Sequence, residues 1–356
     1  MNRRWVCNDV WMDIFPHFDR AQLGLKLAIL SPRFNALVDK HFDGKRELTI
    51  WSDITIGKMG AKAKLSVEKS NAKSVRFPLP GRSLPNKIRF NYLQIDYIDY
   101  AVIKFLRTNH QIFAKGTDLD LHVPFPYKAK DVQNFACEIW PIFATNIRHL
   151  SVTDGRHLEH LRHHTSPTIL SDLNIISIHS DDLLPDAIAD DGPNANAGQA
   201  LSKWLNIPRS DGQPKQLSCC GAVSRTIKLV NSFKEAFLHA TTSSASSYII
   251  RLEDFEPTEI EPFELVNERT NEMLTFEKEE DHQNANNVAC LLKRCQIGGT
   301  ATVQWVDENL DNLNNVNFHL YEFGPLSPLK TGQMKSKSHR KMKLGPSGQR
   351  KKKKKK

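Results

Sequence analysis

Short apolar segments with an alternating pattern recur along residues 92–252, and stretches of helical periodicity lie between them. The steps between successive segments are 26, 31, 26, 41 and 33 residues. Because a strand that returns through a helix must cross over, this pattern predicts parallel strands. Helices are predicted near residue 99 and over about 130–140, 198–205 and 229–240. The apolar pairs that mark the predicted strands are Leu93 and Ile95, Leu119 and Leu121, Leu150 and Val152, Ile176 and Ile178, Leu217 and Cys219, and Ile250 and Leu252.

Two arrangements of these units are open within the predicted α+β or α/β fold class. One is an irregular leucine-rich-repeat-like stack, although the usual period is about 20 to 29 residues and the asparagine ladder is absent. The other is a doubly wound sheet. We favour the stack, because no glycine-rich turn follows a predicted strand. The longest step contains an insert at residues 181–197, rich in Asp, Pro, Gly and Asn, which we predict to be a surface loop.

Three short amphipathic helices are predicted within residues 1–50. Asn8 is expected to cap the first helix and Asp19 the second. Ser31 followed by Pro32 is typical of the start of a third helix. A unit this short and this apolar buries little surface within itself, so we expect its exposed apolar side chains to contact a partner.

The remaining segments are less regular. Residues 51–90 combine glycines, lysines and prolines and are interpreted as a connector. Farther along, strands at 263–267 and 273–277 around a polar turn predict a hairpin, with further strands at about 288–295 and 300–306. The predicted organisation is a helical domain at 1–50, a connector at 51–90, a strand–helix repeat region at 91–258, a β-rich region with a hairpin or meander at 259–326, and a basic, disordered tail at 327–356.

The charge is concentrated at one end of the chain. The formal net charge is +9, but residues 335–356 hold 12 of the 49 basic residues and no acidic residue. The rest therefore has 37 basic against 40 acidic residues, which argues against a dedicated nucleic-acid-binding fold. The final run, Lys351, Lys352, Lys353, Lys354, Lys355 and Lys356, is compatible with nuclear import, with a polyanion-binding arm, with an inert tail, or with a translated poly-adenine stretch.

Several classes of protein and site are disfavoured. Asp9 and Asp13 interrupt the apolar stretch that a signal peptide needs, and no window approaches the roughly 18 apolar residues of a membrane span. The 6 cysteines are too few for a disulfide scaffold of this length, so we expect reduced thiols in a cytoplasmic or nuclear protein. No nucleophile elbow, phosphate loop or zinc-protease motif is present. We therefore expect no cofactor and no catalytic activity.

Histidines at 157, 160, 163 and 164 form the one cluster with metal-ligand character. On a helix, His160 and His164 share a face and could reach one metal ion. No Cys, Asp or Glu nearby supplies further ligands at zinc-like spacing, so a solvated polar turn is the favoured interpretation.

Residues 6–42 resemble an F-box. The positions that match the family pattern are Asn8, Asp9, Ile14, Phe15, Leu23, Leu27, Ser31, Arg33 and Phe34, whereas Val6 and Cys7 stand where the family has Leu-Pro. The body of the chain looks like the large nematode family of F-box proteins, with the likeness carried by residues 77–80, 140–150, 263–270 and 291–295.

The resemblance implies an adaptor of a Skp-cullin-F-box ubiquitin ligase. In such a complex the F-box binds the Skp-family linker protein and, through it, a cullin, while the remaining domain captures a target that the sequence does not identify. We expect the target at the strand-side surface near His122, Ser151 and Ser177, or at the insert. The implied linker-binding residues are Val6, Val10, Trp11, Ile14, Phe15, Phe18, Leu23, Leu27, Leu30, Pro32, Phe34 and Leu37.

Two alternatives from other classes stay open. A nuclear, nucleic-acid-associated protein would act through the basic tail, with binding that weakens steeply with salt. A metal-dependent enzyme would use the histidine cluster at 157–164 and would contain stoichiometric zinc.

Overall fold

A computed structural model describes residues 6–43, 48–60, 62–68, 74–85, 88–114, 116–122, 128–253, 260–279, 289–298 and 313–327. In these residues the helices are α1 (Asn8–Ile14), α2 (Arg20–Gln22), α3 (Pro32–His41), α4 (Tyr100–Thr108), α5 (Ala129–Asn134), α6 (Trp140–Phe143), α7 (Gly155–His164), α8 (Ala197–Leu205) and α9 (Val223–His239). Single 3-10 or π-helical turns at 15–17, 23–27, 28–30, 110–113, 135–139 and 144–146 flank several of them. The strands are β1 (Leu48–Met59), β2 (Lys62–Glu68), β3 (Ser74–Pro78), β4 (Ile88–Ile98), β5 (Thr117–His122), β6 (Ile147–Val152), β7 (Ser177–Ser180), β8 (Lys215–Cys220), β9 (Tyr248–Glu253), β10 (Phe263–Asn267), β11 (Glu272–Glu279), β12 (Ala289–Gln296) and β13 (Asn314–Phe323).

The described strands form one mixed, largely parallel sheet, and the predicted combination of helices with such a sheet is confirmed. The strand order is β10-β11-β12-β9-β8-β7-β6-β5-β13-β4-β1-β2-β3. From β5 to β9 the order follows the chain without the reversal that characterises a doubly wound sheet. On the helical side, α5 packs against α7, and α7 packs against α8. This sequential arrangement is that of a stack of strand–helix units.

Alternation along the strands separates an apolar face from a polar face. In β5, Thr117, Leu119 and Leu121 are buried, whereas the side chains between them are only half-buried. The leucines join one core with apolar residues of the helices, such as Leu158 of α7 and Trp204 of α8. The helices therefore cover one face of the sheet, and the other face keeps its polar side chains.

The interpretation of residues 51–90 as a connector is wrong, because most of this segment lies in β1, β2, β3 and the start of β4. Strand β2 shows the reason. Its buried residues Ala63, Leu65 and Val67 alternate with Lys62 and Lys64, so the lysines lie on the exposed face of a regular strand. Because the segment is rich in lysine, its composition concealed the alternation of buried and exposed residues along the strand.

The C-terminal hairpin is confirmed, and its position in the sheet is now defined. Strands β10 and β11 pair antiparallel around a turn at residues 268–271, and β12 joins them to β9. The predicted strand at 300–306 lies outside the described residues, as does the tail beyond Ser327.

Strand β13 is the unexpected element, because it returns to the middle of the sheet. It pairs parallel with β4 on one side and with β5 on the other. Asn314 anchors its start: the Oδ1 atom accepts from the backbone N–H of Phe90 at 3.4 Å, and Nδ2 donates to the carbonyl of Ile112 at 2.9 Å. Since the Asn314 side chain is fully buried, these bonds replace those that water would otherwise make.

The insert at 181–197 is irregular, as predicted, and hydrogen bonds from Arg162 hold it against α7. The buried Arg162 guanidinium donates to the carbonyl oxygens of Pro167 at 2.9 Å and Ala195 at 2.8 Å. The loop is therefore held against the helical layer by a cation that satisfies backbone acceptors.

None of the helices in the described ranges is long and apolar enough to cross a membrane.

The anchoring of β13 yields a stability prediction. We expect Asn314→Ala to lower the free energy of unfolding by about 3 kcal/mol, since it leaves buried backbone groups of β4 and of the turn before β5 without partners. The neighbouring Asn315→Ala is the matched control and should change stability by about 1 kcal/mol or less, because Asn315 is only half-buried. Denaturant unfolding measures both values, and equal losses would show that the Asn314 bonds are not what secures β13.

Candidate protein-binding surfaces

The N-terminal helices form the first candidate surface. Asp19 caps α2 by accepting from the Gln22 N–H at 2.7 Å, and Ser31 caps α3 by accepting from the Phe34 N–H at 3.2 Å. Both predicted caps are confirmed. The predicted cap of α1 is wrong: Cys7 is the capping residue, without a side-chain hydrogen bond, and Asn8 is the first helical residue.

Arg33 joins the first and third helices. Its guanidinium donates to Asn8 Oδ1 at 2.7 Å and to the backbone carbonyl of Val6 at 2.6 Å. Beneath this link the ring of Trp11 packs edge-on against Phe34, with centroids 4.9 Å apart. Asn8 therefore serves as an acceptor for Arg33, and the segment before α1 is fixed beside the first turn of α3.

The twelve predicted linker-binding residues divide by exposure. Those that belong to the interior of the unit are Phe15, Leu23 and Leu37. Those that are half-buried are Trp11, Ile14, Phe18, Leu27 and Phe34. Those that are exposed are Val6, Val10, Leu30 and Pro32.

The exposed residues gather around Arg33. Val6 and Val10 are each 43% exposed at the start of α1, and Leu30 is 58% exposed just before α3. Because Arg33 joins these two segments, the stretches of chain that carry these side chains lie at one end of the helical unit. We call Val6, Val10, Leu30 and Pro32 the apolar end.

The helical unit is not separate from the rest of the molecule. Its buried residues belong to the same core as the sheet, and α2 packs against β1. Two hydrogen bonds join it to the loop after β3: Asn35 Nδ2 donates to the Ser83 carbonyl at 3.1 Å, and the Arg82 guanidinium donates to the Leu30 carbonyl at 3.4 Å. The apolar end is therefore presented by a supported unit.

The polar face of the sheet is the second candidate surface. Strand pairing aligns its residues in rows: Asn317 lies between Gln94 and Asp120, and the Asp120 row continues to Ser151. We call these positions of β4, β13, β5, β6 and β7 the open face. Its members are Tyr92, Gln94, Asp96, Asn315, Asn317, His319, Asp118, Asp120, His122, His149, Ser151, Ser177 and His179. The residues expected near a target surface, His122, Ser151 and Ser177, all lie on it.

Hydrogen bonds connect neighbouring strands of the open face. Asn317 Nδ2 donates to Asp120 Oδ2 at 2.9 Å and to the Tyr92 hydroxyl at 3.0 Å. Asp96 Oδ1 accepts from Gln94 Nε2 at 2.8 Å and lies 3.5 Å from His319 Nδ1. These contacts fix the side chains in place, which lowers the entropic cost of binding a ligand.

The centre of the open face is rich in acceptors. Burial and the nearby Asp120 raise the pKa of Asp118 to about 6. Burial also raises the pKa of Asp120, although Ser151 and neighbouring imidazoles act in the opposite direction. Buried acceptor oxygens also belong to Asn315 and Asn317, whose Oδ1 atoms have no hydrogen-bond partner among the described residues.

The histidine cluster does not form a metal site. Residues 157–164 lie on α7, so the interpretation as a polar turn is wrong, and His157 is almost fully buried. Burial lowers the pKa of His157 below its usual value. Over the described part of the chain, no group of three or more His, Cys, Asp and Glu residues could hold a metal ion.

Sequence reasoning missed two parts of these surfaces. The role of Arg33 depends on a contact with Asn8 that spans 25 residues, and no local pattern indicates such a pair. Asn315 and Asn317 were missed because β13 was not predicted. The alternation of Val316 and Phe318 with these asparagines was a usable signal.

Comparison of the chain with models of known families, with curated proteins and with solved structures gave no match in any of the three searches.

The division of the predicted residues by exposure is testable on the free protein. We expect Leu37→Ala to lower the free energy of unfolding by about 2–4 kcal/mol, because it opens a cavity between α3 and the core. Leu30→Ala is the matched control and should change it by about 0.5 kcal/mol or less. Denaturant unfolding compares the two, and a large loss for Leu30→Ala would contradict its assignment to the surface.

Proposed function

We propose that this protein is the target-binding adaptor of a Skp-cullin-F-box type ubiquitin ligase, with the helical unit as its linker-binding domain. The observation that carries the proposal is the apolar end: a helical unit packed into the common core still exposes four apolar side chains on the two segments that Arg33 joins. Such side chains are typical of protein interfaces when they cluster. The resemblance of residues 6–42 to an F-box supplies the chemical identity of the partner.

In this proposal, the buried residues of the helical unit stabilise its fold, and the exposed residues bind the linker. Phe15, Leu23 and Leu37 maintain the fold of the helical unit, while Val10 and Leu30 contact the linker. The half-buried Trp11 and Phe34 pack against each other and join α1 to α3. Large side chains in such positions contribute most of the affinity of an interface.

The adaptor itself needs no catalytic group. The linker and cullin bring a conjugating enzyme close to a target held by the sheet region, and this raises the effective concentration of the target's lysines at the reactive thioester. The continuous core between helical unit and sheet supports this role, because a rigid connection preserves the geometry between the two binding surfaces.

A substitution in the apolar end tests the proposal. We expect Val10→Asp with Leu30→Asp to weaken binding of a purified Skp-family linker by about 100-fold, at about 1.4 kcal/mol for each residue. The measurement is titration calorimetry of the full chain, with the melting temperature as a check on folding. Both residues are exposed in the free protein, so folding should be retained.

The matched control places the same charges elsewhere. Ile188 in the insert and Val266 on β10 are 67% and 51% exposed, so Ile188→Asp with Val266→Asp introduces two aspartates at apolar sites that are somewhat more exposed than Leu30 and Val10. We expect wild-type affinity for this control. Failure of the wild-type chain to bind the linker, or unchanged binding by the apolar-end variant, would refute the proposal. Deletion of residues 1–50 is a poorer test, because it exposes the core that α2 shares with β1.

A further inference from the structure

An open cleft lies at the end of the sheet where the parallel strands β4 and β13 finish. Two of its lining residues are Asp99, which directly follows β4, and Pro325, two residues after β13. Other lining residues belong to β2 and to the end of β3. Its volume of about 450 Å³ suits a small organic molecule. In open sheets, ligands bind outside the carboxyl ends of parallel strands, so the cleft has the position and the size of a ligand site.

Backbone hydrogen bonds hold the walls of this cleft in place. The Gly324 N–H donates to the carbonyl of Ile98 at 2.8 Å, and the Tyr100 N–H donates to the carbonyl of Pro325 at 3.0 Å. A Cβ atom on Gly324 would collide with the Tyr97 hydroxyl, so glycine is what permits this close approach. The segment after β13 is thus bound to the end of β4 and to the start of α4. A cleft that is formed before its ligand arrives loses less conformational entropy on binding.

Most of the lining is apolar. The apolar contribution comes from Pro78, Leu79, Tyr100 and Pro325. Tyr100 is 39% exposed, which is unusual for so large an aromatic side chain in this structure. A ligand with an apolar body would remove these side chains from water, and the hydrophobic effect favours that burial.

The charged residues of the lining are Lys62, Lys64 and Asp99. Both lysines are exposed on β2, and neither side chain is paired with another described residue. Asp99 is already engaged, because its Oδ1 atom caps α4 by accepting from the N–H groups of Ala101 at 2.8 Å and Val102 at 3.0 Å. The N-terminus of the helix stabilises this carboxylate, so the two ammonium groups are left to interact with a ligand.

We infer that this cleft binds a small organic anion, a molecule with an apolar body and one anionic group. The apolar body contacts Leu79, Tyr100 and Pro325, and the anionic group contacts the ammonium groups of β2. Charge complementarity selects such a ligand over a cation of the same shape. The apolar end contributes no residue to this cleft, so the inference does not depend on the linker interaction.

Two probes that differ only in their head group test the selectivity. Decanoate and decylammonium have the same alkyl chain and opposite charge. We expect the full chain to bind decanoate about tenfold more tightly at low salt, measured by titration calorimetry below the micellar range. At about 0.5 M salt this preference should shrink, because ions screen the lysines. Equal affinities for the two probes at low salt, or no binding of decanoate, would overturn the inference.

Removal of the two charges locates the anionic group. We expect Lys62→Gln with Lys64→Gln to weaken decanoate binding by about tenfold and to abolish the preference over decylammonium. Both side chains are exposed, so the melting temperature should be retained. The matched control is Lys128→Gln with Lys130→Gln, which removes two exposed lysines at the same spacing and should bind decanoate as the wild type does. Equal weakening by both pairs would reveal an effect of net charge and overturn the inference.

Filling the cleft locates the apolar body. Ala101 lines the cleft and is exposed in the first turn of α4, so the folded protein has room for a larger side chain there. We expect Ala101→Trp to weaken decanoate binding by at least about tenfold, because the indole takes the place of the alkyl chain. Ala129→Trp, at an exposed position in the first turn of α5, is the matched control and should bind as the wild type does. Undiminished binding by Ala101→Trp would place the ligand elsewhere and overturn the inference.

Discussion

One-sided burial of the sheet determines both candidate surfaces. Because side chains alternate along a strand, packing the helices on one face leaves the other face with Asp118, Asp120 and Asn317. The same core extends under the N-terminal helices, which are thereby fixed against β1 with Val10 and Leu30 exposed. A hydrophobic surface and a polar surface thus lie on different parts of a structure that shares one continuous core.

The repeat region was predictable because its signals are local. Apolar pairs such as Leu119 and Leu121 mark strands at period two, and Asp99 caps α4 as the start predicted near that residue requires. The caps at Asp19 and Ser31 were found for the same reason. Fold class and the position of most elements therefore followed from short windows of sequence.

What could not be predicted depends on distant contacts or on composition that masks a pattern. The lysines of β2 made a regular strand resemble a connector. Asparagines have low strand propensity, so β13 was overlooked, and nothing local indicates that it pairs with β4 and β5. On the apolar end, the sequence supplied all four exposed residues but gave no means of separating them from buried neighbours such as Phe15. Exposure depends on the tertiary packing and on Arg33, whose partners lie far away in sequence.

The central position of β13 has a consequence for biosynthesis. Strands β4 and β5 are synthesised long before residue 314. Their facing edges therefore remain without their pairing strand, β13, throughout most of translation. Pairing across about 200 residues also makes the final step slow, since such contacts have high loop-closure entropy. A nascent chain in this interval is a natural client for chaperones, and a second copy that donated its own β13 to the gap would produce a strand-swapped dimer.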